Sequence, residues 1–88
     1  MTNQKQIKIY TLDYCPYCQK AKFFLKEQGV NFEEVCCDDN EDEMRKKLTK
    51  EYNLPTLATF PQIIIDDKNI GGYSDLIEKY NSKEISFN

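Results

Sequence analysis

Two of the chain's four cysteines, Cys15 and Cys18, stand one helical turn apart, and the other two, Cys36 and Cys37, are neighbours. There is no histidine and no tryptophan. The missing histidine removes Ser–His and Cys–His catalysis together with the commonest transition-metal ligand. Covalent chemistry must therefore rest on cysteine, and the spacing Cys15-Pro16-Tyr17-Cys18 suits reversible thiol–disulfide exchange. A zinc site would need four ligands and would have to recruit Cys36 and Cys37. Adjacent residues on a strand point to opposite faces, so that pair is a poor joint donor set and no metal site is expected. A permanent structural disulfide does not suit a chain whose first residues, Met1-Thr2-Asn3-Gln4-Lys5-Gln6, lack the apolar stretch of a secretory signal. Cys36 and Cys37 read as small apolar side chains near the end of a strand, with an exposed, modifiable thiol as the lesser alternative.

The elements around Cys15 say how it would be activated. Ile7-Lys8-Ile9-Tyr10-Thr11 alternates and is rich in β-favouring residues, so a strand is expected there. Pro16 fits the first turn of a helix, where its missing N–H is no loss. Cys18, Ala21 and Leu25 then share one face, with Tyr17, Phe24 and Gln28 beside it, and Gly29 ends the helix. At a helix start, free N–H groups and the positive dipole end stabilise a thiolate, and thiol pKa values there fall from about 8.5 to roughly 3.5–7.5. Cys15 at that position is the expected nucleophile, and Cys18, shielded by the helix, the expected resolving thiol. Lys20 and Lys22 are near enough in sequence to favour the thiolate further, although pointing into water is the preferred reading for both.

The rest of the chain supplies the frame. Asn31 to Cys36 reads as a second strand with imperfect alternation. Asn40 is the expected cap of a second helix, with Glu43 completing a capping box, Met44, Leu48 and Tyr52 along one row, and a stop before Pro55. Gln62-Ile63-Ile64-Ile65-Asp66 suits a strand buried on both faces, followed by a turn at Asp67-Lys68 and a short returning strand at Asn69-Ile70. After Gly71-Gly72 a last helix is expected near Ser74 as its cap, burying Leu76, Ile77 and Tyr80, and residues 81–88 read as a polar tail. The order of strand, helix, strand, helix, strand, strand, helix implies an α/β domain over residues 1–88. Its first two strands should be parallel by a right-handed crossover and its last two antiparallel, giving a four-stranded mixed sheet with helices on both faces.

Composition narrows the partners. Twelve basic and fifteen acidic side chains leave a net charge of −3, which argues against nucleic acid or an anionic membrane as the main partner. The acidic run between Glu33 and Glu43 is followed by Arg45, Lys46, Lys47 and Lys50, read as a solvated loop and a polar helix face. No apolar run approaches the ~20 residues that span a bilayer. A soluble, cytoplasmic monomer is the expectation.

Four segments give the chain a resemblance to the glutaredoxins of the dithiol class. They are Cys15-Pro16-Tyr17-Cys18, Ala21-Lys22, Thr59-Phe60-Pro61-Gln62-Ile63 and Ile70-Gly71-Gly72-Tyr73-Ser74-Asp75-Leu76, in order and across residues 7 to 80. The resemblance implies the thioredoxin fold and a glutathione-dependent thiol–disulfide oxidoreductase acting on protein disulfides and protein–glutathione mixed disulfides. It implies glutathione as reducing co-substrate with no tightly bound cofactor, and ribonucleotide reductase among the possible protein substrates. Pro61 would be a cis proline, with Thr59 and the backbone of Phe60 beside the cysteine part of glutathione. Tyr17 would line the groove, and Gly72, Tyr73 and Ser74 would hold the γ-glutamyl end, since helix N-termini bind carboxylates. Asp75 would either meet the ligand's ammonium or favour the helix dipole. Leu12 stands where the family often has a basic residue for the glycine carboxylate, with Lys46, Lys47 or Lys50 as substitutes, and Phe60 replaces a common valine. Three other readings remain open: a redoxin reduced by thioredoxin reductase and serving ribonucleotide reductase, an iron–sulfur cluster carrier using Cys15 with glutathione, and, last, a thioredoxin-fold binding module without catalysis.

Overall fold

In a computed structural model, residues 5–87 are described; the start of the polar leader, residues 1–4, and residue 88 lie outside them. Strand β1 (Ile7–Thr11) leads to helix α1 (Pro16–Glu27) and strand β2 (Glu33–Cys36). A single 3-10 turn (Asp38–Asn40) precedes α2 (Glu41–Glu51), followed by β3 (Gln62–Ile65), β4 (Lys68–Gly71) and α3 (Tyr73–Asn81). The sheet order is β2-β1-β3-β4, with β1 and β2 parallel and both β1–β3 and β3–β4 antiparallel. This is the thioredoxin fold, a four-stranded mixed sheet covered on both faces.

The alternation of β1 and β3 decides what covers each face. Ile7, Ile9, Ile63 and Ile65 share a core cluster with Ala21 and Leu25 of α1 and Leu76 of α3. Tyr10 and Ile64 point the other way, into a cluster with Leu12, Cys37, Leu48 of α2 and Ala58. Each buried isoleucine or leucine contributes about 1.5–3 kcal/mol, so a sheet apolar on both faces needs both helical layers.

Four expectations are corrected. The hairpin turns at Asp66-Asp67, both with positive φ (49° and 68°), so Asp66 belongs to the turn and Lys68 to the returning strand. Two successive positive φ values are what a two-residue hairpin loop requires, and aspartate tolerates them. Strand β2 is shorter than expected, since its pairing with β1 begins at Glu33 opposite Lys8. Asn40 stands at the start of α2 but its side chain makes no capping bond; the preceding turn instead satisfies its N–H through the Cys37 carbonyl at 3.2 Å. Finally, the last residues are not a solvated tail: Phe87 is 5% exposed, stacks on Tyr80 at 5.3 Å and accepts the Lys5 N–H at its carbonyl.

Candidate active site

Strand β1 ends at Thr11, and Leu12 through Tyr14 carry the chain over the sheet's edge to Cys15. Leu12 is buried in the α2-side core, which gives an apolar residue a physical reason to be there. Cys15 is the N-cap of α1, with extended backbone angles (φ −92°, ψ 112°), and Pro16 follows in the first turn. The Cys18 N–H donates to Cys15 Sγ at 3.3 Å, and the Cys15 thiol donates to the Phe60 carbonyl at 3.6 Å. The Cys18 N–H has no carbonyl to bond inside the helix, so the Cys15 sulfur takes the place of a capping oxygen.

Cys18 differs in every respect. It is fully buried, and burial, with Cys15 beside it, pushes its thiol up to about 12. The two sulfur atoms are thus a half-exposed, solvated thiol and a dry, protonated one within a single helical turn. Neither lysine is held at Cys15: Lys20 lies over the Tyr17 ring at 5.3 Å and Lys22 pairs with Glu34 at 2.9 Å.

A groove of about 320 Å³ runs beside this turn. Tyr17, Thr59, Phe60, Pro61, Gly72, Tyr73, Ser74 and Asp75, separated by up to 58 positions in sequence, all line it. The Phe60–Pro61 peptide bond is cis. Tyr17 is 55% exposed with its ring 6.1 Å from that of Tyr73, so two tyrosines frame one side. The far end is the start of α3, where Gly72 rather than Ser74 is the N-cap and Asp75 accepts the Gly72 N–H at 3.1 Å. Gly71 must be glycine: its φ is +113°, and a Cβ there would overlap the Asp75 carboxylate. A larger recess of about 630 Å³ along α1, lined by residues such as Lys20, Phe23 and Lys26, touches no cysteine.

Sequence reasoning missed the segment Leu54 to Ala58, which lines the groove opposite α3, and it missed Arg45. Lys46, Lys47 and Lys50 do not line the groove; the α2 cation that reaches its wall is Arg45, which donates to the Ala58 carbonyl at 2.9 Å. The i, i+4 spacing of Glu41 and Arg45 was the available signal.

The second cysteine pair splits as alternation demands, Cys36 exposed and Cys37 buried. Burial raises the Cys37 thiol. For Cys36, the Asp38 backbone N–H pulls its pKa down, but desolvation and the carboxylates of Asp38 and Asp13 outweigh it, and the net shift is upward. Asp13 is itself raised by Asp38, while Asp38 is held low by the Asp13 backbone N–H, so Asp38 is the first of the pair to ionise as pH rises.

Comparison with known proteins agrees with this geometry. The glutaredoxin family model matches residues 7–70. Glutaredoxin 1 of Rickettsia bellii is 46% identical over 82% of this chain and 74% of its own length. Glutaredoxin 3 of Escherichia coli is 41% identical over 80% of each chain. Among solved structures, glutaredoxin 1 of Francisella tularensis, complexed with cacodylate, superposes with a TM-score of 0.80 at 31% identity, covering 91% of this chain and 96% of that one. A buckwheat glutaredoxin–glutathione complex has a TM-score of 0.78 at 21% identity, covering 91% and 72%, and shares the fold. A Cys-x-x-Cys at a helix start, the sheet that carries it and a family match over most of its length agree: the chain belongs to the glutaredoxin family of thiol–disulfide oxidoreductases.

Proposed function

We propose that the chain reduces protein disulfides and protein–glutathione mixed disulfides at the expense of glutathione, with Cys15 as nucleophile and Cys18 as resolving thiol. The contrast between the two thiols carries this reading: Cys15 is half-buried with an N–H aimed at its sulfur, whereas Cys18 is buried and held protonated near 12. The groove beside them has the right polar groups for glutathione. Backbone N–H groups at the start of α3, at Tyr73 and Ser74, suit the γ-glutamyl carboxylate. Phe60 and Thr59 offer backbone to the cysteinyl part beside Pro61, and Tyr17 and Tyr73 cover it. Asp75 already accepts one backbone N–H, and its carboxylate suits the ligand's ammonium as well. The buckwheat protein of the same fold was solved with glutathione.

The chemistry is exchange without net loss of thiols. The Cys15 thiolate attacks the glutathionyl sulfur of a mixed disulfide; a Cys15–glutathione bond forms, the old S–S bond breaks, and the substrate leaves as thiolate. A glutathione thiolate then attacks the glutathionyl sulfur, giving oxidised glutathione and restoring the Cys15 thiolate. For a protein disulfide, Cys15 first breaks the substrate S–S bond and forms a mixed disulfide with one of its sulfurs; Cys18 then gives up its proton to a departing substrate thiolate and attacks the Cys15 sulfur, releasing the reduced substrate. Two glutathiones then return the Cys15–Cys18 disulfide to the dithiol. Glutaredoxin couples lie at about −200 to −230 mV, within reach of cytosolic glutathione, and we place the chain there as a monomer without a bound cofactor.

The test is turnover of a small glutathione mixed disulfide by Cys18→Ser, coupled to glutathione reductase. Sustained turnover supports the assignment of both thiols. No turnover, in a folded protein whose wild type takes electrons from thioredoxin reductase, would replace this reading with the redoxin one.

A further inference from the structure

Two loops flank Cys15, and neither belongs to its own helix. One is the approach from β1, ending in Tyr14. The other is the segment Ala58–Phe60, whose last carbonyl accepts the Cys15 thiol. Tyr14 is 68% exposed, so core packing does not fix it; its hydroxyl donates to Glu41 Oε1. The other oxygen of Glu41 accepts Arg45 Nη2 at 2.7 Å and Nε at 3.2 Å. Arg45 Nη1 then donates to the Ala58 carbonyl, and the guanidinium sits 5.0 Å from the centre of the Phe60 ring. One turn further along α2, the Thr49 hydroxyl accepts the Ala58 N–H at 2.8 Å while donating to the Arg45 carbonyl at 2.6 Å. Glu41, Arg45 and Thr49 are one i, i+4, i+8 row of α2, and this row grips both loops through side chains.

We propose that Arg45 and Glu41 are positioning residues for thiol exchange, setting the separation between the Cys15 sulfur and the Phe60 wall of the groove. The proposal rests on the reading that Cys15 is the nucleophile and that the groove takes the glutathionyl group. Disulfide exchange is an in-line displacement at sulfur, so the thiolate and the wall that holds the substrate disulfide must keep a fixed relation. Misplacement of reacting atoms by about 1 Å costs on the order of a hundredfold in rate. Arginine is the residue that can do this. Its planar fork donates to Glu41 and to Ala58 at once while its face lies on the Phe60 ring, whereas lysine has a single ammonium and no plane to stack.

The experiment measures kcat/KM for a glutathionylated peptide, together with iodoacetamide labelling of Cys15 and the thermal midpoint, in wild type, Arg45→Ala, Arg45→Lys, Tyr14→Phe and the Tyr14→Phe/Arg45→Ala double variant. Positioning predicts that Arg45→Ala loses about tenfold in kcat/KM, with labelling of Cys15 unchanged, and that Arg45→Lys recovers part of the loss. The double variant should lose no more than the worse single one, since both cut the same connection. Additive losses, wild-type turnover in Arg45→Ala, or a turnover loss matched by slower labelling of Cys15 would each overturn it. If Arg45→Ala does not fold, the intermediate turnover of Arg45→Lys and its coupling to Tyr14→Phe decide in the same way. Wild type that labels at Cys15 yet fails to turn over the glutathionylated peptide would sink the glutathione reading itself, which is a different result.

Discussion

Cys15 and Cys18 have equal thiols in a free peptide and unequal ones here, because one helical turn separates a half-exposed cap from a buried position on the core face. The consequence is a pH-resolved order of reactivity. Alkylation needs the thiolate, whose fraction falls tenfold for each pH unit below the pKa. With Cys18 near 12, about one molecule in ten thousand carries its thiolate at pH 8. Iodoacetamide followed by peptide mass mapping should therefore label Cys15, the partly exposed thiol of the two, in preference to Cys18. Cys18 and Cys37 should stay unlabelled in the folded protein, and Cys36 should respond only as the pH rises. Labelling of Cys18 at neutral pH in Cys15→Ser would contradict its burial. A second consequence is thermodynamic. The folded pKa of Cys18 lies above its unfolded value, so the native state holds that proton more tightly. Its contribution to stability is complete below about pH 8.5 and is lost as pH rises from there toward 12. Urea unfolding of the reduced protein should show this decline, and Cys18→Ala should show less of it.

At the level of elements, glycine and aspartate at the start of α3 make a local test. Gly71→Ala must place a Cβ at φ +113° into the carboxylate that caps the helix, and should cost about 1–3 kcal/mol in urea unfolding. Gly29→Ala, at φ +71° with nothing within 4 Å, carries only the backbone penalty of about 1 kcal/mol. Equal costs at the two positions would deny the steric role of Asp75. These same elements show what sequence pattern can and cannot reveal. The turn from Cys15 into α1 and the strand Gln62–Ile65 were readable because proline, the Cys18-Ala21-Leu25 face and three isoleucines are strong local signals. The cap of α3 was misread by two residues because Ser74 looks like a cap, whereas the N-cap is Gly72, whose N–H donates to the Asp75 side chain. The cap of α2 failed likewise, since a 3-10 turn bonds the Asn40 N–H that the Glu43 side chain was expected to accept, and the Asn40 side chain makes no capping bond. The groove residues were recognised through a family resemblance, which names positions but not contacts. The grip of Arg45 on Ala58 spans thirteen residues and two elements, and no local period encodes it.

Across the whole molecule, chemistry and closure of the core sit at opposite ends of β1. Cys15 follows its C-terminal end, while at the other end Lys5 bonds the Phe87 carbonyl and Gln6 bonds Asp66. Phe87 completes an aromatic group with Phe24 of α1 and Tyr80 of α3, at 6.4 Å and 5.3 Å between ring centres. A single phenylalanine behind the polar stretch Asn81 to Glu84 gives no periodic signal, which is why the segment reads as tail until its long-range partners are known. Five β1 residues at about 3.3 Å each place some 17 Å between this cluster and the active-site loop, beyond the range at which mutational effects usually couple. Phe87→Ala should therefore remove about 3 kcal/mol of stability. The loss should be read as a lower urea midpoint at unchanged slope. Its kcat/KM for a glutathionylated peptide should stay at the wild-type value wherever the protein is folded. A fall in turnover at temperatures where Phe87→Ala remains native would mean that the aromatic cluster reaches the site through α1. In that case the helix that carries both cysteines would be tuned from its far end, and stability and chemistry in this domain could not be varied separately.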